Sequence, residues 1–210
     1  MAGDRLRLAV LLSGSGTTLA NLFAWIDDGR LAAEVVLVVS SRADAYGLVR
    51  ARERGVPTRI LPRKEHASLE AFTDAVFRAV DESGAGLVAL AGFMVRLGVP
   101  DRWRGRIVNV HPALLPAFGG VGMYGHFVHE AVLKGGVKIT GCTVHIVDEE
   151  YDHGPILAQR AVEVRPDDTP DSLAERVQAA EREIYPAAIQ AFAAGRVRVE
   201  GRRAHILPEE

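Results

Sequence analysis

Two stretches carry residue types suited to a carbonyl under attack. In Asn109-Val110-His111-Pro112 an amide and an imidazole stand two residues apart. On a strand such residues point to the same side, so both side chains would converge on one spot. The amide offers a hydrogen-bond donor and the imidazole a proton or a positive charge, which is what an oxyanion needs. The plainer alternative is a histidine that caps a strand and bonds a carbonyl. The second stretch, Val144 to Pro155, ends a strand in the carboxylates Asp148, Glu149, Glu150 and Asp152, closed by Gly154-Pro155. One buried carboxylate beside His111 would favour the protonated ring and raise its pKa. A metal site is the competing use of clustered oxygens, and a solvated acidic loop is the plain one.

A third motif, Ser13-Gly14-Ser15-Gly16-Thr17-Thr18, suits an anion. Glycine lets the backbone approach a ligand, and a helix start presents N–H groups to a phosphate. Leu19 stands where a dinucleotide fingerprint needs its third glycine, and no lysine follows as in a Walker loop. A tight turn without a ligand is the bland reading. Ala91-Gly92-Phe93-Met94-Val95-Arg96-Leu97 reads as an apolar slot or as core. His126 and His129 lie one helical turn apart with no evident third metal ligand. Cys142 sits in an apolar run and reads as an inert core residue.

These motifs need a scaffold of alternating strands and helices. Apolar runs at 8–12, 35–39, 57–61, 87–91 and 106–110 read as strands, those at 8–12 and 35–39 as the covered strands of a parallel sheet. Helical spacing occupies 18–28, 45–54 and 68–83, with Ser68 as a cap and Gly84 as a stop. Residues 112–125 are a loop rich in glycine and proline, and 127–134 a short helix. Strands at 138–147 and 156–164 follow, then a helix over 169–194 capped by Thr169. Pro186 is expected to kink or interrupt that helix. Residues 197–200 and 203–206 suit a hairpin. The fold class is α/β: a mostly parallel, Rossmann-like sheet with helices on both faces and a mixed-strand C-terminal extension. One domain over 1–210 is expected, with halves at about 1–110 and 111–210.

Composition narrows the function classes. Of 210 residues 48% are apolar, and Lys+Arg 25 against Asp+Glu 27 gives a net charge of −2. That balance speaks against a nucleic-acid-coating protein, which carries a basic excess. The one cysteine excludes a disulfide framework and a thiolate zinc site. No apolar run approaches a membrane span. The run Leu6–Leu12 is too short for a signal h-region and lacks a cleavage pattern. A cytoplasmic protein with no membrane or nucleic-acid partner is expected, with a homodimer left open.

In order, Ser-Gly-x-Gly, Ala91-Gly92-Phe93-Met94, Asn109-Val110-His111-Pro112-Ala113-Leu114-Leu115-Pro116, Gly141-Cys142-Thr143-Val144-His145 and Asp152-His153-Gly154-Pro155 closely resemble the phosphoribosylglycinamide formyltransferases. These are folate-dependent enzymes of purine synthesis, and the resemblance runs from about residue 6 to 200. It implies formyl transfer from 10-formyltetrahydrofolate, a co-substrate, to glycinamide ribonucleotide, with no metal. It further implies that Gly16, Thr17 and Thr18 hold the ribonucleotide phosphate. Met94, Val95, Arg96 and Leu97, with Asn109, would border the folate. Asn109, His111 and Asp152 would form the catalytic trio, Asp152 raising the His111 pKa, with His145 in support.

The sequence departs from the family pattern in four places. Thr17-Thr18 replaces Ser-Asn. Val95-Arg96-Leu97 replaces Arg-Ile-Leu, moving the charge one place. Leu69 stands where a folate-contacting arginine is usual, with Arg63 or Lys64 as substitutes. The Gly119–Gly125 stretch is longer and richer in glycine, which leaves a mobile lid open. The readings that compete are a 10-formyltetrahydrofolate hydrolase or another folate-dependent formyl transferase. A formyl-methionyl-tRNA transferase fits poorly, since it needs a C-terminal tRNA-binding domain and a basic surface. From other classes come a nucleotide-binding oxidoreductase, which the missing glycine opposes, and a non-catalytic nucleotide- or folate-binding protein.

Overall fold

Strand β1 (Leu6–Leu12) has nothing but apolar side chains from Leu8 onward, and all five are fully buried. Such a strand needs cover on both faces and pairs in parallel. In this computed structural model, which describes residues 5–209, it does both. Met1–Asp4 and Glu210, included in the expected domain, lie outside the described residues. The chain divides into two compact units, Met1–Val108 and Asn109–Glu210.

In the first unit β1 pairs in parallel with β2 (Ala33–Ser40) on one side and β4 (Leu87–Leu90) on the other. Strand β3 (Thr58–Ile60) adds to β2, also in parallel. Three helices connect the strands: α1 (Thr17–Asp27), α2 (Tyr46–Glu53) and α3 (Leu69–Glu82). The apolar stripe of α3 buries Phe72, Val76, Phe77 and Val80. Ser68 caps it, its hydroxyl accepting the Ala71 N–H at 3.0 Å, an interaction worth about 1 kcal/mol. At the other end of α3 Arg7 donates to the carbonyls of Ser83 and Gly84. Short 3-10 turns at Arg63–Glu65 and Asp101–Trp103 were not expected. Strand β5 (Ile107–His111) carries the chain across the division between the units.

The second unit holds α4 (His126–Gly135), β6 (Ile139–Ile146), β7 (Ile156–Glu163), α5 (Pro170–Ala193), β8 (Val197–Glu200) and β9 (Arg203–Ile206). Its pairing is mostly antiparallel: β6 with β7, and β8 with β9, while β9 meets β7 in parallel at Arg203 and Ile156. The fold is thus mixed α/β, with a mostly parallel ladder flanked by helices and antiparallel strands toward the C-terminus. Thr169 and Ser172 close a capping box ahead of α5, with Pro170 in the first turn. Of the kink or interruption expected at Pro186, the interruption does not occur; α5 continues to Ala193. A proline in a helix interior forfeits about 3 kcal/mol. Pro186 is buried, as are Ile184, Tyr185, Ala188 and Ile189 of the same helix, and burying apolar surface works against that loss. Among the described residues no helix is long and apolar enough to cross a membrane.

Candidate active site

Strand β5 ends at His111, and its two-residue period sets Asn109 and His111 on one side. The neighbouring loop is anchored by a buried network. Thr143 on β6 donates its hydroxyl to Ala113 O at 2.7 Å and accepts the Leu115 N–H at 3.0 Å. Gln159 on β7 donates to that same hydroxyl and to Leu115 O, each at 2.9 Å. At the far end of β6, Asp152 lies in the turn to β7. Gly154 must be glycine there, because a Cβ would lie 1.8 Å from Ile146 O.

These elements bring together the residues expected to act. His111 Nδ1 is 3.4 Å from Asp152 Oδ2, and its Nε2 donates to Phe118 O at 2.8 Å. The Gly120 N–H donates to Asp152 Oδ2 at 3.0 Å. His145 donates from Nδ1 to Ile146 O at 3.2 Å, so its Nε2 accepts from the Asn109 amide, also 3.2 Å away. That tautomer follows from the acceptor on Nδ1. The second oxygen of Asp152 lies 3.6 Å from His145 Nε2, too long for a hydrogen bond. His111 and His145 are both buried, and Asn109 is half-buried.

One electrostatic expectation needs correction. Burial lowers the His111 pKa below the ordinary value, although the Asp152 charge and the Phe118 carbonyl push it up and His145 pushes it down. Asp152 acts in the expected direction, but desolvating the imidazolium outweighs it. The ring is therefore neutral in the free protein. Asp152 itself is opposed by burial, yet His145, His111 and the Gly120 N–H hold its carboxyl below the usual range, so it is ionised.

The glycine-rich stretch does more than loop outward. A Cβ on Gly119 would collide with Leu115 and crowd Asp152, and Gly120 holds the carboxylate. Phe118 O and the Gly120 N–H escape sequence reasoning because backbone groups leave no residue-type signal; glycine spacing was the one hint. The rest of the acidic run is held separately. Asp148 accepts from His153 Nδ1 at 2.8 Å, and Arg202 donates to His153 O at 2.9 Å. His126 pairs with Glu130 and Asp171 at 3.7 and 3.6 Å, while His129 is buried. Among the described residues no group of three His, Cys, Asp or Glu side chains could hold a metal ion. Cys142 is buried, its thiol pushed up to about 12 by burial and by Glu181.

In the first unit Gly16 opens α1 in the left-handed region at φ 70. A Cβ there would sit 2.5 Å from the Gly47 Cα, so this turn admits only glycine. The Gly47 N–H donates to Gly14 O at 3.1 Å and Arg50 Nε to Ser15 O at 3.0 Å, fixing the loop against α2. The first N–H groups of α1, from Thr17 onward, have no intrahelical acceptor and suit an anion. Met94, Val95, Arg96 and Leu97 follow β4 without regular structure; Met94 and Arg96 are exposed, and Val95 and Leu97 half-buried. Of the two proposed substitutes for the arginine absent at Leu69, Arg63 is engaged, donating to His66 O at 2.9 Å, and Lys64 is exposed.

Residues 6–189 match the formyl transferase family. The trifunctional purine biosynthetic protein adenosine-3 of Gallus gallus is 44% identical over 198 residues, covering 93% of this chain and 19% of that protein. The chain thus spans about a fifth of the length of the trifunctional relatives it matches. The phosphoribosylglycinamide formyltransferase of Haemophilus influenzae is 34% identical over 202 residues, 95% of this chain and 93% of the relative. The crystal structure of glycinamide ribonucleotide transformylase 1 from Symbiobacterium toebii superposes with a TM-score of 0.91 at 43% identity, covering 98% of this chain and 96% of that one.

Proposed function

This chain belongs to the formyl transferase family, and from that membership we propose that it transfers a formyl group from 10-formyltetrahydrofolate to the amine of glycinamide ribonucleotide, a cytoplasmic step of purine synthesis. The observation that carries the reading is the grouping of Asn109 and His111, neighbours on β5, with Asp152, which is distant in the sequence; His111 Nδ1 is 3.4 Å from the carboxylate. Gly16, Thr17 and Thr18 hold the ribonucleotide phosphate through backbone N–H groups and hydroxyls. Met94, Val95, Arg96 and Leu97 border the folate, as does Asn109.

The amine nitrogen attacks the formyl carbon. A C–N bond forms, and the carbonyl electrons move to oxygen. The amide of Asn109 meets that charge; the hydrogen bond to His145 fixes which way the amide faces, and its second N–H points elsewhere. One well-placed donor of this kind is worth about 3–4 kcal/mol. His111 enters neutral. Once a negative oxygen stands near it as well as Asp152, the imidazolium is favoured, and the ring takes a proton from the attacking nitrogen. The C–N10 bond then breaks, the carbonyl re-forms, and the proton passes to N10. The products are the N-formylated ribonucleotide and tetrahydrofolate. Charges and protons balance without a covalent enzyme intermediate.

The test is to mix the protein with glycinamide ribonucleotide and 10-formyltetrahydrofolate and follow deformylation by absorbance. Transfer requires both substrates. Consumption of the folate without the ribonucleotide would identify a hydrolase, and no consumption at all would favour a binding protein.

A further inference from the structure

Three hydrogen bonds meet at Ser13, a residue to which no role has been given. It directly follows β1 and opens the glycine-rich turn, and it is 4% exposed. Its N–H donates to Gly92 O at 3.0 Å. Its hydroxyl accepts the Met94 N–H at 2.9 Å and is hydrogen-bonded to Ser41 Oγ at 2.6 Å. Ser41 is buried too, and its N–H donates to Leu12 O at 3.2 Å. A chain of polar groups thus crosses the carboxyl ends of β2, β1 and β4, the edge where open α/β sheets bind ligands. Buried hydroxyls rarely go unsatisfied, and here each satisfies a different segment.

The two segments joined at Ser13 are the ones assigned to substrates. On one side begin Gly14 and Ser15, whose carbonyls are fixed by Gly47 and Arg50 and which lead into Gly16–Thr18. On the other lies 92–97, an irregular stretch. It is pinned by Ser13 at its start, by Phe93 stacked on Phe72 with centroids 6.3 Å apart, and just beyond its end by the Gly98 N–H on Thr73 at 3.0 Å. Any shift of the loop that accompanies phosphate binding therefore reaches the Met94 peptide through a direct, part-buried hydrogen bond of 2.9 Å.

We infer that Ser13 is a positioning residue that ties the Met94–Leu97 segment to the phosphate loop, so that filling either segment pre-orders the other. The inference rests on the reading of those two segments as ribonucleotide and folate sites. Because coupling between two ligands is reciprocal, each must tighten the other by the same factor.

The experiment titrates the protein calorimetrically with glycinamide ribonucleotide, with and without saturating tetrahydrofolate, which has no formyl group to transfer. In the wild type, tetrahydrofolate should tighten the ribonucleotide about fivefold or more. In Ser13→Ala that factor should fall toward one while each ligand alone binds about as before. Ser13→Thr, which keeps the hydroxyl, should retain the factor, a rescue that a merely structural role does not require. Should Ser13→Ala fail to fold, Ser41→Ala decides the matter, since it removes the orienting hydroxyl and leaves Ser13 in place; its factor should drop too. Wild-type protein that binds both ligands independently, or an alanine variant that keeps the coupling, overturns the inference alone. Failure of either ligand to bind the wild type overturns the functional reading and the inference with it.

Discussion

Among the described residues, Asp152 and Phe118 are the non-glycine residues in the left-handed region, at φ 53 and 54. Backbone held there stores about 1–3 kcal/mol and persists where surroundings over-determine it. Both grip the same ring: Phe118 O accepts the hydrogen bond from His111 Nε2, and Asp152 faces Nδ1. Strain is therefore concentrated at the imidazole that the proposed reaction uses. His111→Ala and Asp152→Asn should each lower kcat by about 100-fold or more with substrate binding kept. Asparagine tolerates the left-handed backbone, so the second variant should still fold; retained turnover in either would remove that residue from the mechanism. The direction of the His111 shift is testable by proton NMR of the ring. Its midpoint should lie below 6.5, and Asp152→Asn should move it further down by deleting the charge that raises it. A midpoint above 6.5 would mean that Asp152 outweighs burial. At this scale the sequence is informative for Asn109, His111 and Asp152, because side-chain type announces chemistry. It is silent on the Phe118 carbonyl and the Gly120 N–H, and on the sign at His111, which burial decides.

Helices and strands were legible where composition leaves one option. The apolar runs Leu8–Leu12 of β1 and Val35–Val39 of β2 and the Ser68 and Thr169 caps follow from residue type alone. That α5 runs on through Pro186 was not legible, because a local penalty was weighed without the burial of that helix face. The turn into α1 was half legible: its glycines mark a close approach, but only the fold reveals Gly47 as the partner. Gly16→Ala would put a side chain at φ 70 and a Cβ 2.5 Å from the Gly47 Cα. It should lower stability by about 1–3 kcal/mol, read as a drop in the urea midpoint, and displace the loop from α2. Its kinetic mark should be a ribonucleotide KM raised more than the folate KM. Thr17→Val combined with Thr18→Val isolates the hydroxyls from the turn. That pair should raise the ribonucleotide KM while leaving folding intact, and an unchanged KM would free the hydroxyls of phosphate duty.

Over the whole molecule, opposed titrations shape stability between pH 4.5 and 7. Burial lowers His111 and His129, so below 6.5 the unfolded chain takes up protons that the folded one refuses. Those two groups make stability fall as pH drops. Asp152 and Asp168 are held below 3.8, Asp168 chiefly by its hydrogen bonds from Arg176, so their stabilisation is lost only as pH falls through still lower values. Glu181 on α5 acts the other way. Burial pushes its carboxyl from 4.5 up to about 7, against the nearby Arg182 charge. Across that window the folded chain keeps a proton that the unfolded chain releases, so this group makes stability fall as pH rises. Glutamine resembles the protonated acid, so Glu181→Gln should match the wild type near pH 4.5 and exceed it increasingly up to about pH 7, with the gap constant above. Urea unfolding at pH 4.5, 6 and 8 reads this as a midpoint difference that grows with pH while the slope m is unchanged. A difference that is the same at all three would place the Glu181 carboxyl at its ordinary value in the folded chain and leave the histidines to set the slope alone.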